Sequence, residues 1–102
     1  MINKNIFKSA RHTSSYLSAG PVDGPLVMFF HGWPELSYSW RHQLKYFGEK
    51  GFHVIAPDMR GYGDSTVHEN KADYSQREIV KDMVELFHSF NKDNVIIIGH
   101  DW

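Results

Sequence analysis

The chain has 102 residues, a formal net charge of −1 and no cysteine. That length fits one small domain or part of a larger one; the balanced charge gives no reason to expect nucleic acid or an anionic membrane as partner; and without cysteine there is no disulfide framework and no thiolate zinc site. The longest apolar runs, 26–30 and 95–98, fall far short of the ~20 residues that span a bilayer, and residues 1–6 carry no secretory signal, so a reducing cytoplasm is the expected location.

Residues 6–11 and 14–19 are short polar–apolar stretches and predict two strands. Gly20-Pro21-Val22-Asp23-Gly24-Pro25 concentrates turn formers. Leu26-Val27-Met28-Phe29-Phe30 is apolar without alternation, the pattern of a strand covered on both faces, and His31-Gly32-Trp33-Pro34 breaks it. Residues 37–50 predict a helix with Trp40, Leu44 and Phe47 on one face and Gly51 at its end. Residues 53–56 predict a second buried-type strand closed by Pro57. The glycine-punctuated loop Asp58-Met59-Arg60-Gly61-Tyr62-Gly63-Asp64-Ser65 follows, and the polar stretch to Asp73 reads as an irregular surface excursion. Ser75 and Glu78 have the spacing of a capping box. Behind them, Ile79, Met83, Leu86 and Phe90 form a helical stripe, with Val80, Val84 and Phe87 beside it. Asn91-Lys92-Asp93-Asn94 ends that helix, and residues 95–98 predict a third buried-type strand.

From residue 26 onward the order is strand, helix, strand, helix, strand. That alternation predicts an α/β fold, a mostly parallel sheet flanked by helices. In such sheets the chemistry sits at the carboxyl ends of the strands. The segments there are 31–34, 58–65 and 99–102, and all three combine glycine with His, Asp or Trp.

Gly99-His100-Asp101-Trp102 follows directly on the third of these strands. A glycine two positions before a reactive residue is the first half of a nucleophile elbow; the second half would fall at position 103. Taken alone, Asp101 reads either as a nucleophile or as the cap of a helix. His31-Gly32 reads either as an oxyanion loop or as a strand-ending turn with a buried histidine. In the catalytic reading the backbone N–H groups of Trp33 and Trp102 face the oxyanion, since Pro34 has no N–H to give. The matching placement of Asp101 two strands further on favours that reading. His12, His42, His53, His68 and His88 fall in strands, helices or surface loops and read as structural. No ligand spacing points to a metal, and no cofactor is expected.

The motifs His31-Gly32-Trp33-Pro34-Glu35, Ser39-Trp40-Arg41-His42-Gln43, 56–65 and Gly99-His100-Asp101-Trp102 together resemble the epoxide hydrolase branch of the α/β-hydrolase superfamily. The resemblance runs from about residue 6 to the last residue. It implies that residues 1–102 are one partial domain, the N-terminal part of the fold, truncated after the nucleophile elbow, with the cap domain and the C-terminal strands absent. It also implies an epoxide as small-molecule substrate. Asp101 would form an alkyl-enzyme ester, and a histidine-activated water would split it, with Trp33 and Trp102 as the oxyanion hole. His31, Gly32, Pro34 and His100 would support the site. The base histidine, the acid that orients it and two cap tyrosines would belong to segments after residue 102. Tyr16, Tyr38, Tyr46, Tyr62 and Tyr74 are not that pair. The chain alone is therefore expected to be inactive unless a separate C-terminal chain completes it. The strand at 95–98, internal in that family, would stand here as an uncharged edge.

Rival readings remain at this stage. A haloalkane dehalogenase also uses an Asp followed by Trp but usually has Asn or Glu where Trp33 stands. Fluoroacetate dehalogenases usually have Arg where Trp102 stands. Aspartate at 101 disfavours a serine esterase. From a different class, the rival reading is a non-catalytic truncated gene product. Diol or halide release separates the enzymes. Oligomeric state is not legible.

Overall fold

The computed structural model describes residues 2–31 and 36–99. A hairpin of β1 (Asn3–Lys8) and β2 (Thr13–Ala19) precedes β3 (Leu26–Phe30). A 3₁₀ turn (Ser37–Trp40) leads into α1 (Arg41–Glu49), then β4 (His53–Pro57), a second 3₁₀ turn (Lys71–Tyr74), α2 (Gln76–His88) and β5 (Ile96–Gly99). The sheet order is β1-β2-β4-β3-β5. β3 runs parallel to both β4 and β5, whereas β2 is antiparallel to β1 and β4. The parallel core predicted from residue 26 is present, and the leading hairpin makes the whole sheet mixed.

The hairpin strands start earlier than the sequence pattern suggests. β1 spans Asn3–Lys8 rather than 6–11, and its ladder runs from Asn3↔Ser18 to Lys8↔Thr13. Ser9 closes the turn: its hydroxyl oxygen accepts from the N–H groups of Arg11 and His12 at 3.2 and 3.1 Å. Arg11 therefore stands in the turn, where its guanidinium reaches the carboxylates of α2.

Alternation along the buried strands decides which helix covers which face. Val27 and Phe29 of β3, with Val54 and Ala56 of β4, pack on Leu44 of α1, and Trp40 and Phe47 lie against them. Leu26, Met28 and Ile55 point the other way and pack on Leu86 of α2. One helix on each face covers the two-period pattern of a strand that is apolar on both sides. The face of α1 is the predicted one, but residues 37–40 form a 3₁₀ turn before the α-helix starts at Arg41. Gly51 follows the helix at φ +96, a conformation that suits a residue without Cβ.

At α2, Ser75 is the N-cap and its side chain accepts from the Glu78 N–H at 3.4 Å. The reciprocal half of the predicted capping box is not made. Glu78 instead takes the Arg11 guanidinium at 2.7 Å, a charge-assisted bond that outcompetes a neutral N–H. The complete box is at the preceding 3₁₀ turn, between Asn70 and Asp73. Met83 and Leu86 are buried, whereas Val80 and Val84 are exposed. Val80, Met83 and Val84, with Met28, Phe30 and Ile97, line an apolar groove of about 390 Å³ between α2 and β5. β5 forms the sheet edge among the described residues, and Ile97 on it is 60% exposed.

Candidate active site at the strand ends

β3 and β5 are adjacent and in register, with Phe30 opposite Gly99. The two strands therefore end side by side at one level. Gly32, Trp33, Pro34, His100, Asp101 and Trp102 lie outside the described residues. His31 and the loop after β4 are described and frame the place.

His31 is fully buried. Its Nε2 accepts the Met59 N–H at 3.0 Å, so the neutral ring carries its proton on Nδ1. Tyr62 meets the ring edge-on at 4.9 Å. Both readings of this histidine, strand-ending turn and loop support, fit its position; it is committed as an acceptor to the backbone of β4's exit.

Asp58, the first residue past β4, is also buried. One carboxylate oxygen accepts the Ser37 N–H at 2.7 Å and the other accepts the Ser15 hydroxyl at 2.8 Å. Its carbonyl accepts the Ser65 hydroxyl at 2.6 Å, and Ser65 Oγ in turn accepts the Ser15 N–H at 2.9 Å. The loop 58–65 thus folds back on β2, and Gly63 is the point that lets it. A Cβ there would lie 2.4 Å from Asp58 Oδ2, and its φ of +53 is one that L side chains rarely adopt.

Behind this loop is a buried ionic cluster. Arg60 donates to Asp82 from Nε at 2.5 Å and from Nη2 at 3.0 Å, and Arg11 reaches the same carboxylate at 3.0 Å. Arg11 also holds Glu85 at 2.9 Å. Arg11 in turn pulls the Glu78 carboxyl below the usual range, chiefly through their hydrogen bond. The cluster bolts α2 to the hairpin turn and to the loop after β4. His12 sits beside it, bonded to His68 at 2.9 Å, and its burial lowers its pKa below the ordinary 6.5. His53 is lowered for the same reason. Among the described residues no group of three or more His, Asp or Glu side chains is placed to hold a metal ion, and no helix is long and apolar enough to cross a membrane.

Sequence reasoning identified the loop 58–65 by its glycines but missed the roles of Asp58, Ser15, Ser37 and Ser65. Aspartate and serine flank the glycines of that loop, which is a usable signal. Nothing near Ser15 in the sequence marks it, because its partner is 43 residues away. The Arg60–Asp82 pair was likewise out of reach.

Two in-register parallel strands, a helix on each face and a clamped loop at the carboxyl end of β4 define an α/β scaffold. The chain belongs to the α/β-hydrolase fold family, whose profile matches residues 25–102. It is 47% identical over 79 residues to epoxide hydrolase 2 of Siraitia grosvenorii, covering 78% of this chain and 25% of that protein. Its identity to epoxide hydrolase A of Mycobacterium tuberculosis is 41% over 86 residues, covering 84% and 27%. The crystal structure of an epoxide hydrolase from Vigna radiata superposes with a TM-score of 0.93 at 37% identity, over 99% of this chain and 32% of that one. The chain thus spans about a quarter of the length of the curated relatives it matches.

Proposed function

We propose that residues 1–102 are a partial α/β-hydrolase domain that supplies the nucleophile and the oxyanion loop of an epoxide hydrolase-like enzyme. The observation that supports this reading is the Phe30↔Gly99 register, which ends side by side the two parallel strands that precede His31–Pro34 and His100–Trp102 in the sequence. The similarity to epoxide hydrolases supports the choice of reaction.

In this reading a carboxylate oxygen of Asp101 attacks one epoxide carbon. The C–O bond of the ring breaks, and its oxygen takes a proton from an acid outside residues 1–102. An alkyl-enzyme ester results. Carboxylate attack suits an sp³ carbon, because the group is already ionised at neutral pH and needs no base. Water deprotonated by a histidine then adds to the ester carbonyl carbon. The N–H groups of Trp33 and Trp102 hold the tetrahedral oxyanion, the acyl C–O bond breaks, and the diol leaves with Asp101 restored. His31, Gly32, Pro34 and His100 support these two motifs.

In this reading the histidine base comes from other polypeptide, continuous with this chain or supplied as a separate one. Among the described residues His31 is committed to Met59, His12 and His68 to each other, and His53 is buried against Phe90. Residues 1–102 alone are therefore read as inactive. The cysteine-free composition fits a reducing cytoplasm.

One experiment tests the reading. The complete enzyme carrying this chain is given styrene oxide in H₂¹⁸O. We expect diol product, ¹⁸O retained in the peptide containing Asp101 after several turnovers, and loss of activity in Asp101→Asn. Multiple turnovers by residues 1–102 alone, halide release from haloalkanes in place of diol, or full activity in Asp101→Asn would each defeat it.

A further inference from the structure

We propose that His12 and His68 form a latch, opened by acid, that holds the excursion 66–74 against the hairpin turn and the Arg60–Asp82 pair, a device independent of the reaction proposed above. The excursion is fixed at both ends. At its start, the Thr13 N–H donates to Thr66 Oγ1 at 3.0 Å, and the Thr66 N–H donates to the Thr13 carbonyl at 2.9 Å. At its far end, Arg60 Nη1 donates to the Asp73 carbonyl at 2.7 Å. Between these ends, one hydrogen bond among the described residues ties 67–72 to the body of the fold: His12 Nδ1 and His68 Nε2 stand 2.9 Å apart. The two rings stack with centroids 5.1 Å apart. His68 passes the restraint along its own backbone. Its N–H donates to the Tyr74 hydroxyl at 2.8 Å, and its carbonyl accepts from that hydroxyl at 2.9 Å.

Charge decides how the pair is wired. The His12 side chain is only 2% exposed, and its Nε2 faces the Asp82 carboxylate at 3.6 Å, too far for a hydrogen bond. A carboxylate favours a proton on the nitrogen that faces it, so neutral His12 carries N–H at Nε2 and a bare acceptor at Nδ1. His68 Nε2–H is then the donor. One proton added to the pair still leaves a donor facing an acceptor, and the bond survives. A second proton sets N–H against N–H, and the bond is lost. The surroundings do little to accommodate two charged rings. Among the described residues the carboxylate facing His12 is that of Asp82 on α2, already shared by Arg60 from the loop after β4 and Arg11 from the turn. Glu78 and Glu85 of α2 are also taken by Arg11. Burial holds His12 below its ordinary 6.5; Asp82 opposes this, and Arg60, His68 and Arg11 add to it. With the excursion lifted, both rings reach water and both take protons at ordinary values. The closed form is therefore complete above 6.5. Below it, opening takes up one more proton, and the open fraction grows by up to about tenfold per pH unit.

The test is hydrogen exchange read by mass spectrometry on the complete enzyme carrying this chain, at pH 7.5 and pH 5, corrected for intrinsic exchange rates. The peptide over 66–74 is expected to lose protection at pH 5, while the peptide over 41–49 in α1 keeps it. His68 is half-buried, so replacing it spares the core. In His68→Ala the latch is gone, and 66–74 is expected to exchange at pH 7.5 as fast as wild type does at pH 5. His68→Gln donates to neutral His12 and, with its amide turned, accepts from protonated His12. That variant is expected to keep 66–74 protected at both pH values, which assigns the acid response to titration. If His68→Ala does not fold, ring-nitrogen NMR of the wild type takes its place. There the pair is expected to gain its two protons in separate steps, the second together with the loss of protection. Several outcomes overturn the latch: wild-type protection of 66–74 unchanged between the two pH values, His68→Ala as protected as wild type at pH 7.5, or His68→Gln as acid-labile as wild type. Loss of protection in 41–49 at the same pH, or both rings protonated while 66–74 stays protected, overturns it as well.

Discussion

His12 and His53 are two imidazoles that folding takes out of water. Burial is the leading cause of the lowered pKa in both, and for His12 the nearby Arg60, His68 and Arg11 lower it further while Asp82 opposes them. The sign follows directly. When the folded pKa lies below the unfolded one, the unfolded state binds more protons in between, so stability is complete above the ordinary value near 6.5 and is lost as pH falls through and below it. Urea denaturation of the protein is expected to show a falling midpoint from pH 7.5 to pH 5. A variant with both His12→Asn and His53→Asn is expected to flatten that dependence above pH 5. A midpoint that rises on acidification would contradict the assignment. The carboxylate of Asp82 faces the same corner, but its partners are the guanidiniums of Arg60 and Arg11, which stay charged across this range.

At the scale of the element, α2 shows how a long-range partner rewrites a local signature. Ser75 and Glu78 satisfy the spacing of a capping box, yet only Ser75 caps. Glu78 belongs to the Arg11 network. Two substitutions therefore part company. Ser75→Ala is expected to cost about 1 kcal/mol, the usual loss for an N-cap. Glu78→Gln leaves the cap in place, and its effect is expected to vanish once Arg11 is replaced by Met. A double-mutant cycle on urea midpoints checks this. A Glu78→Gln effect that persists without Arg11 would contradict this assignment of Glu78 to Arg11.

At the scale of the molecule, the exposed edge dominates. β5 pairs only with β3 among the described residues, and Ile96, Ile97 and Ile98 are open on it with no charge between them. The apolar groove beside α2 adds Val80 and Val84. Unpaired N–H and C=O groups along an uncharged, β-branched edge are a template for another strand. Residues 1–102 on their own are expected to self-associate, measured by light scattering behind size exclusion. Ile97→Lys is expected to shift that equilibrium toward monomer. A monodisperse wild-type monomer that unfolds cooperatively would count against this account.

What the sequence by itself determined was everything that local periodicity can encode. Leu26–Phe30 and residues 53–56 carry the buried-strand pattern and are internal strands, whereas residues 95–98 carry it too and yet form an exposed edge among the described residues. Trp40, Leu44 and Phe47 share one helical face, so that face had to be the buried one. Glycine at 51 and the punctuation of 58–65 mark places where the backbone turns. The motifs around His31 and Asp101 stand out in the sequence for the same reason, since each lies within a few positions of a strand end. Tertiary structure alone decided the strand order β1-β2-β4-β3-β5, the start of β1 at Asn3, and the diversion of Glu78 from its cap. It alone also revealed Asp58 as the clamp on Ser37 and Ser15. The physical reason is one of range. Propensity and amphipathic period act over a turn or a strand, whereas a buried carboxylate takes whichever donors the fold delivers, and those lie 21 and 43 residues away.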